Sequence, residues 1–130
     1  MKVSEYVTGI QHIGIPTNDI ERTIEFYTSL GFEITLRTVN PASEEPVCFL
    51  QLKDTVIETY QNGHAVQESG AIDHVALDVT DADKAFSVIK AGGYTLLDQE
   101  VQSLPFWDNG IKYFNILGPN GEKVEFSQIL

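Results

Sequence analysis

The chain is short of cysteine and of positive charge. Cys48 is the only cysteine among 130 residues, so no internal disulfide can form and a reducing cytoplasm is the expected compartment. Eight Lys and Arg stand against nineteen Asp and Glu, a formal net charge of −11. That balance excludes binding carried by a cationic surface, so no nucleic-acid partner is expected. No apolar run approaches the roughly 20 residues of a membrane-spanning helix, and no membrane partner is expected either. Residues 1–6 carry Lys2 and Glu5 without the apolar stretch of a secretory signal. The length suits one compact domain, or two small modules sharing one sheet.

What the chain does have is an internal repeat. At an offset of 62, residues 10–32 fall on residues 72–94: Ile10 on Ile72, His12 on His74, Ile13 on Val75, Ile15 on Leu77, Asp19 on Asp81, Ile24 on Phe86, Gly31 on Gly93 and Phe32 on Tyr94. Val56-Ile57-Glu58 likewise corresponds to Lys123-Val124-Glu125. Chance gives a few such matches, but not a whole set in register with two His/Glu pairs. Module one covers about 8–62 and module two about 71–130, within a single domain over 1–130.

Each module reads as strand, helix and three strands. Ile10 to Ile15 is a predicted strand with Ile13 and Ile15 on one face and His12 on the other. Asn18 followed by Glu21 signals a helix start, and Ile20, Ile24, Tyr27 and Leu30 form its apolar stripe up to Gly31. In the second copy Val75, Leu77 and Val79 oppose His74. Thr80 and Asp83 open the helix, Ala82, Ala85, Phe86 and Ile89 line it, and Gly92-Gly93 ends it. Strands follow at Phe32–Arg37, Val47–Leu52 and Thr55–Tyr60, with Lys53-Asp54 as a hairpin turn. In the later module they are Tyr94–Asp98, Lys112–Leu117 and Lys123–Ile129, with Gly118-Pro119-Asn120-Gly121 as the turn. Residues 40–46 and 99–110 are the matching loops, and 61–70 is a polar connection. The fold class is therefore α+β: tandem βαβββ modules forming a curved sheet, helices on one face, polar site on the other.

That other face carries His12, Glu58, His74 and Glu125. A strand histidine alone is more often a hydrogen-bonded structural residue than a ligand, and a carboxylate in a terminal strand is usually solvated. Repetition of both residue types at matched positions favours a metal site. Two imidazoles and two carboxylates suit zinc, nickel or cobalt, one divalent ion per site. Such an ion acts as a Lewis acid on a substrate oxygen, and a glutamate that loosens from it can move protons. His64 has no counterpart in the repeat and reads as a surface residue. Cys48, in an apolar strand, reads as core.

These residues resemble the vicinal oxygen chelate superfamily, and within it glyoxalase I (lactoylglutathione lyase) of the small bacterial type. The likeness runs through His12, Asp19-Ile20-Glu21-Arg22, Phe26-Tyr27, Leu30-Gly31-Phe32, Glu58, Asp73-His74-Val75-Ala76-Leu77, Gly118-Pro119-Asn120-Gly121 and Val124-Glu125-Phe126. The resemblance implies His12, Glu58, His74 and Glu125 as metal ligands, Glu125 as the main proton shuttle and Glu58 as its counterpart. It implies isomerisation of a 2-oxoaldehyde–thiol hemithioacetal to a 2-hydroxyacyl thioester through a metal-bound enediolate, as in methylglyoxal detoxification. It also implies a homodimer whose sites are shared between subunits. Asn62 matches a substrate-binding asparagine of that family, while Pro16 stands where its arginine would contact glutathione. Arg37 and Lys112 are the cations that could replace that arginine. Phe106 and Trp107 are further candidate substrate contacts. The alternatives on the same scaffold are an epimerase, a dioxygenase, or a non-enzymatic small-molecule-binding protein of the bleomycin-resistance type.

Overall fold

The computed structural model describes residues 2–130, which fold into two compact units, one running to Ala65 and the other over Val66–Leu130. After a 3-10 turn at Val3–Glu5, the first unit contains β1 (Ile13–Thr17), α1 (Ile20–Ser29), β2 (Glu33–Val39), β3 (Pro46–Leu52) and β4 (Thr55–Gln61). The second contains β5 (His74–Asp78), α2 (Ala82–Ala91), β6 (Thr95–Leu96), β7 (Gln102–Leu104), β8 (Ile111–Leu117) and β9 (Lys123–Ile129). Among the described residues no helix is long and apolar enough to cross a membrane.

Each unit forms its own sheet, in the order β1-β4-β3-β2 and β5-β9-β8-β6, with β7 also pairing β8. The first and last strands of each unit pair in parallel, β1 with β4 and β5 with β9. One face of each sheet is closed by its helix. Ile20, Ile24 and Tyr27 of α1 bury against Cys48, Leu50 and Ile57, with Phe32 completing the cluster. In the second unit Phe114, Ile116, Val124 and Phe126 are buried, Phe114 stacks on Phe126, and Phe86 of α2 meets Phe114 edge-on. The expected alternation holds for the residues that flank the glutamates: Ile57 and Thr59, and Val124 and Phe126, are buried on the helix face.

The repeat extends into the helix termini. The N-caps are Asp19 and Asp81, one residue past Asn18 and Thr80, where the sequence signal pointed. Asp19 accepts from the Arg22 amide and Asp81 from the Lys84 amide, while the Asn18 side-chain oxygen Oδ1 accepts from the Ala65 amide. The first helical amides, of Ile20 and Ala82, donate to the side-chain oxygens of Gln61 and Gln128, both at 2.9 Å. Each helix start is thus bound to the last strand of its own unit. Gly31 and Gly93 follow the helices with φ of +106° and +77°, a conformation that glycine adopts without a Cβ penalty.

Three strand assignments change. β1 starts at Ile13 rather than Ile10, and Ile10 and Ile72 are both exposed. The strand expected over Tyr94–Asp98 shrinks to Thr95–Leu96 because Asp98 takes the Asn115 backbone N–H on its own carboxylate, at 2.7 Å; a side-chain acceptor has displaced the ladder. Pairing with β8 resumes at β7, inside the expected 99–110 loop, and Pro105 follows its last residue. In the first unit's sheet, edge strand β2 carries one extra residue, Thr35, between Ile34↔Leu50 and Leu36↔Phe49.

Gln61→Ala and Gln128→Ala each leave a first-turn helix amide without its acceptor, a loss comparable to that of a helix cap. Each is expected to lower unfolding free energy by about 0.5–2 kcal/mol in urea titrations followed by circular dichroism. A value near zero for either shows that water replaces that glutamine.

Candidate metal centre

In the first unit His12 immediately precedes β1, and Glu58 stands opposite Gly14 on one side and Phe49 on the other. Its Nε2 lies 3.4 Å from Glu58 Oε1, with both side chains about one-third exposed or less. The other ring nitrogen, Nδ1, is 3.0 Å from the Gln11 side-chain oxygen. The Phe49 ring meets the imidazole edge-on at 5.5 Å, which fixes the ring plane.

The second unit repeats this arrangement. Glu125 stands opposite Ala76 and Asn115, and His74 Nε2 lies 3.8 Å from Glu125 Oε2. His74 Nδ1 is 2.8 Å from Asp73 Oδ2, and Lys123 Nζ donates to the same carboxylate at 3.1 Å. The hydrogen bond from His74 first, and that from Lys123 second, hold the Asp73 carboxyl below its ordinary range.

The residue preceding each histidine is therefore its positioning partner. Gln11 and Asp73 also lie 62 positions apart, but their types differ, so residue matching passed over them. By occupying Nδ1 they leave Nε2 directed at the glutamate, the arrangement by which outer-shell groups orient a ligating imidazole. Two donor atoms about 2.1 Å from one tetrahedral ion stand roughly 3.4 Å apart, close to both His–Glu separations. Each pair fits a metal's ligand edge. Among the described residues no group of three or more His, Cys, Asp and Glu is assembled.

Residues 9–126 match the family model of the Glyoxalase/Bleomycin resistance protein/Dioxygenase superfamily. The chain belongs to that superfamily. It is 32% identical over 124 residues to the uncharacterized protein YwbC of Bacillus subtilis (strain 168), covering 92% of this chain and 96% of that protein. Its fold is shared with a glyoxalase family protein from Enterococcus faecalis (TM-score 0.78, 20% identity, 94% of this chain and 98% of the other). It is also shared with the fosfomycin resistance protein FosX from Listeria monocytogenes, solved with Mn(II) and sulfate (TM-score 0.73, 16% identity, 95% and 94%).

The remaining candidates of this superfamily member make local contacts of their own. Asn62 closes a turn after β4, its side-chain oxygen accepting from the His64 amide. Phe106 and Trp107 lie on the connection between β7 and β8, both exposed, with rings edge-on at 6.2 Å. Pro16 lies in β1 opposite Tyr60. Neither Arg37 nor Lys112 takes the place of a site-face cation. Both pair with the helices, Arg37 with Glu21 and Lys112 with Asp83, because their strand positions put them on the helix side. Cys48 is fully buried, and burial pushes its thiol pKa up, against a smaller lowering by Arg37.

The antiparallel neighbours of the two glutamates differ in kind: Phe49 faces Glu58, but Asn115 faces Glu125. Asn115 gives both its backbone N–H and its side-chain amide to Asp98 Oδ2, at 2.7 and 3.0 Å. Asp98→Ala leaves two part-buried donors unpaired, and each unpaired donor costs about 1–3 kcal/mol. Thermal unfolding should show a loss of at least that size, with Asp98→Asn milder since its oxygen still accepts. Equal stability of Asp98→Ala and the parent would show this anchor to be dispensable.

Proposed function

We propose that the protein is a metal-dependent lyase or isomerase of the glyoxalase I type, turning the hemithioacetal of a 2-oxoaldehyde and a thiol into a 2-hydroxyacyl thioester. The observation that carries the reading is the duplicated pair: His12 Nε2 on Glu58 at 3.4 Å and His74 Nε2 on Glu125 at 3.8 Å, each imidazole held from behind. Those four side chains would hold one divalent ion, nickel, cobalt or zinc by donor type. When bound, the ion supplies Lewis acidity to two neighbouring substrate oxygens.

The chain's own residues do the rest. Glu125 is the less exposed of the two glutamates (16% against 26%) and is the base that takes the proton from C1 and returns it to C2. Glu58 is its counterpart for a substrate of opposite hand. Asp73 and Gln11 keep the imidazoles from rotating. With Pro16 where an arginine would meet the glutathione carboxylate, and with Arg37 and Lys112 committed to the helices, the thiol carrier is a less anionic one than glutathione. Each site draws His12 and Glu58 from one subunit of a homodimer and His74 and Glu125 from the other.

His12→Ala and His74→Ala are each expected to abolish stoichiometric metal while leaving the far-ultraviolet dichroism unchanged, since both residues lie off the helix-covered core. Elemental analysis after gel filtration checks this, and full occupancy in either variant overturns the four-ligand site.

Glu125→Gln keeps a ligand oxygen but loses the base, so kcat should fall about 10²- to 10⁴-fold on methylglyoxal hemithioacetals made from a panel of thiols. Mixing it with the His12→Ala chain should recover part of the activity, because a heterodimer holds one intact site. A metal-replete parent protein that turns over no such adduct sinks the lyase reading in favour of an epimerase.

A further inference from the structure

Asn115 of β8 carries a polar atom that the fold does not use. Its Oδ1 is buried and, among the described residues, is the only buried side-chain oxygen or nitrogen without a hydrogen-bond partner. The orientation of the amide is fixed. Asp98 Oδ2 accepts from the Asn115 backbone N–H at 2.7 Å and from its side-chain Nδ2 at 3.0 Å. An ionised carboxylate accepts and does not donate, so the amide nitrogen faces Asp98 and the oxygen points elsewhere.

Its place in the sheet gives that oxygen a use. Phe114 and Ile116 on either side are fully buried on the helix face, which turns Asn115 to the opposite one. There it stands directly across from Glu125, with roughly 5 Å between the Cβ atoms of such opposed residues. The Glu125 carboxylate is itself an acceptor, and Lys123, two residues before it, gives its ammonium to Asp73. Glu58 has no neighbour of this kind, since Phe49 stands across from it. An unpaired buried acceptor is destabilising, and a second acceptor beside it adds repulsion. A donor arriving with a ligand relieves both.

The surroundings narrow the donor. An ammonium group would pair with Glu125 and neutralise it as a base, whereas a hydroxyl satisfies Oδ1 and leaves the carboxylate free. The separation of the two side chains puts that hydroxyl roughly two carbons from the carbon whose proton Glu125 takes. We infer that Asn115 is a specificity-determining residue whose Oδ1 accepts from a substrate hydroxyl, so that the 2-oxoaldehyde is one hydroxylated on the carbon next to its keto group. The inference rests on the metal-dependent lyase reading and adds the class of substrate to it.

A site built to hydrogen-bond a hydroxyl rejects the analogue that lacks it, because its own polar group is then left unpaired. On the cobalt-loaded protein, glycerate should bind at least about tenfold more tightly than lactate, which has a methyl group in place of the hydroxymethyl. Calorimetric titration reads this without turnover. Asn115→Leu keeps the volume, removes the acceptor and should equalise the two acids. Should that variant not fold, the ratio in the parent protein decides. With one and the same thiol, the hemithioacetal of hydroxypyruvaldehyde should exceed that of methylglyoxal in kcat/KM by about tenfold.

Equal binding of glycerate and lactate by the parent overturns the inference, as does a preference that survives in folded Asn115→Leu. A parent that turns over both adducts equally also overturns it and leaves the lyase reading standing. One that prefers glycerate yet turns over neither adduct supports the Asn115 acceptor and sinks the lyase reading alone. A parent that takes up no cobalt overturns both.

Discussion

Everything described at the His/Glu pairs depends on the parallel pairing of the first and last strand in each unit. Gly14 lies opposite Glu58 and Ala76 opposite Glu125, so a histidine two residues before each small residue falls on the same face as the glutamate. Strand side chains alternate with period two, and a slip by one residue would send the carboxylate into the helix-covered core. The register is pinned from the helix side, where Gln61 and Gln128, three residues beyond each glutamate, take the first amides of α1 and α2. Helix position and glutamate position are therefore set by the same strand.

Much of this was legible in the chain because both signals are periodic. Ile13 and Ile15 against His12, or Val124 and Phe126 against Glu125, state the faces by alternation, and the offset of 62 states the duplication. What escaped were contacts set by distance in space. Gln61 reaches Ile20 from 41 positions away, and nothing local in either segment announces it. The caps were missed by one residue because Asn18 and Asp19 are both good acceptors. Only the fold shows that Asn18 is engaged by Ala65. The strand break at Asp98 has the same origin: a side chain competes for a backbone donor, and hydrophobic pattern does not register the contest.

The two units also divide their charges consistently. Glu21 with Arg37 and Asp83 with Lys112 each join helix to strand, the acids at matched helix positions and the cations on unmatched strands, β2 and β8. These exposed pairs add little stability. Their larger effect is on composition of the site face, since they withdraw two of the eight cations from it. The Phe49 and Asn115 positions then break the symmetry, giving an apolar neighbour to Glu58 and an amide neighbour to Glu125. Two copies that began alike have acquired different surroundings for the same carboxylate.

The extra residue in β2 has a consequence for the chain as a solute. All seven residues of that edge strand are exposed, Ile34, Leu36 and Val39 among them. A flat apolar edge of that length would template pairing with any other extended chain. Thr35 bends the strand and puts the residues on either side of it out of step, so an incoming strand could match one half of the edge but not both. A one-residue irregularity thus protects a concentrated solution of this protein from self-templated assembly along an edge whose side chains would otherwise promote it.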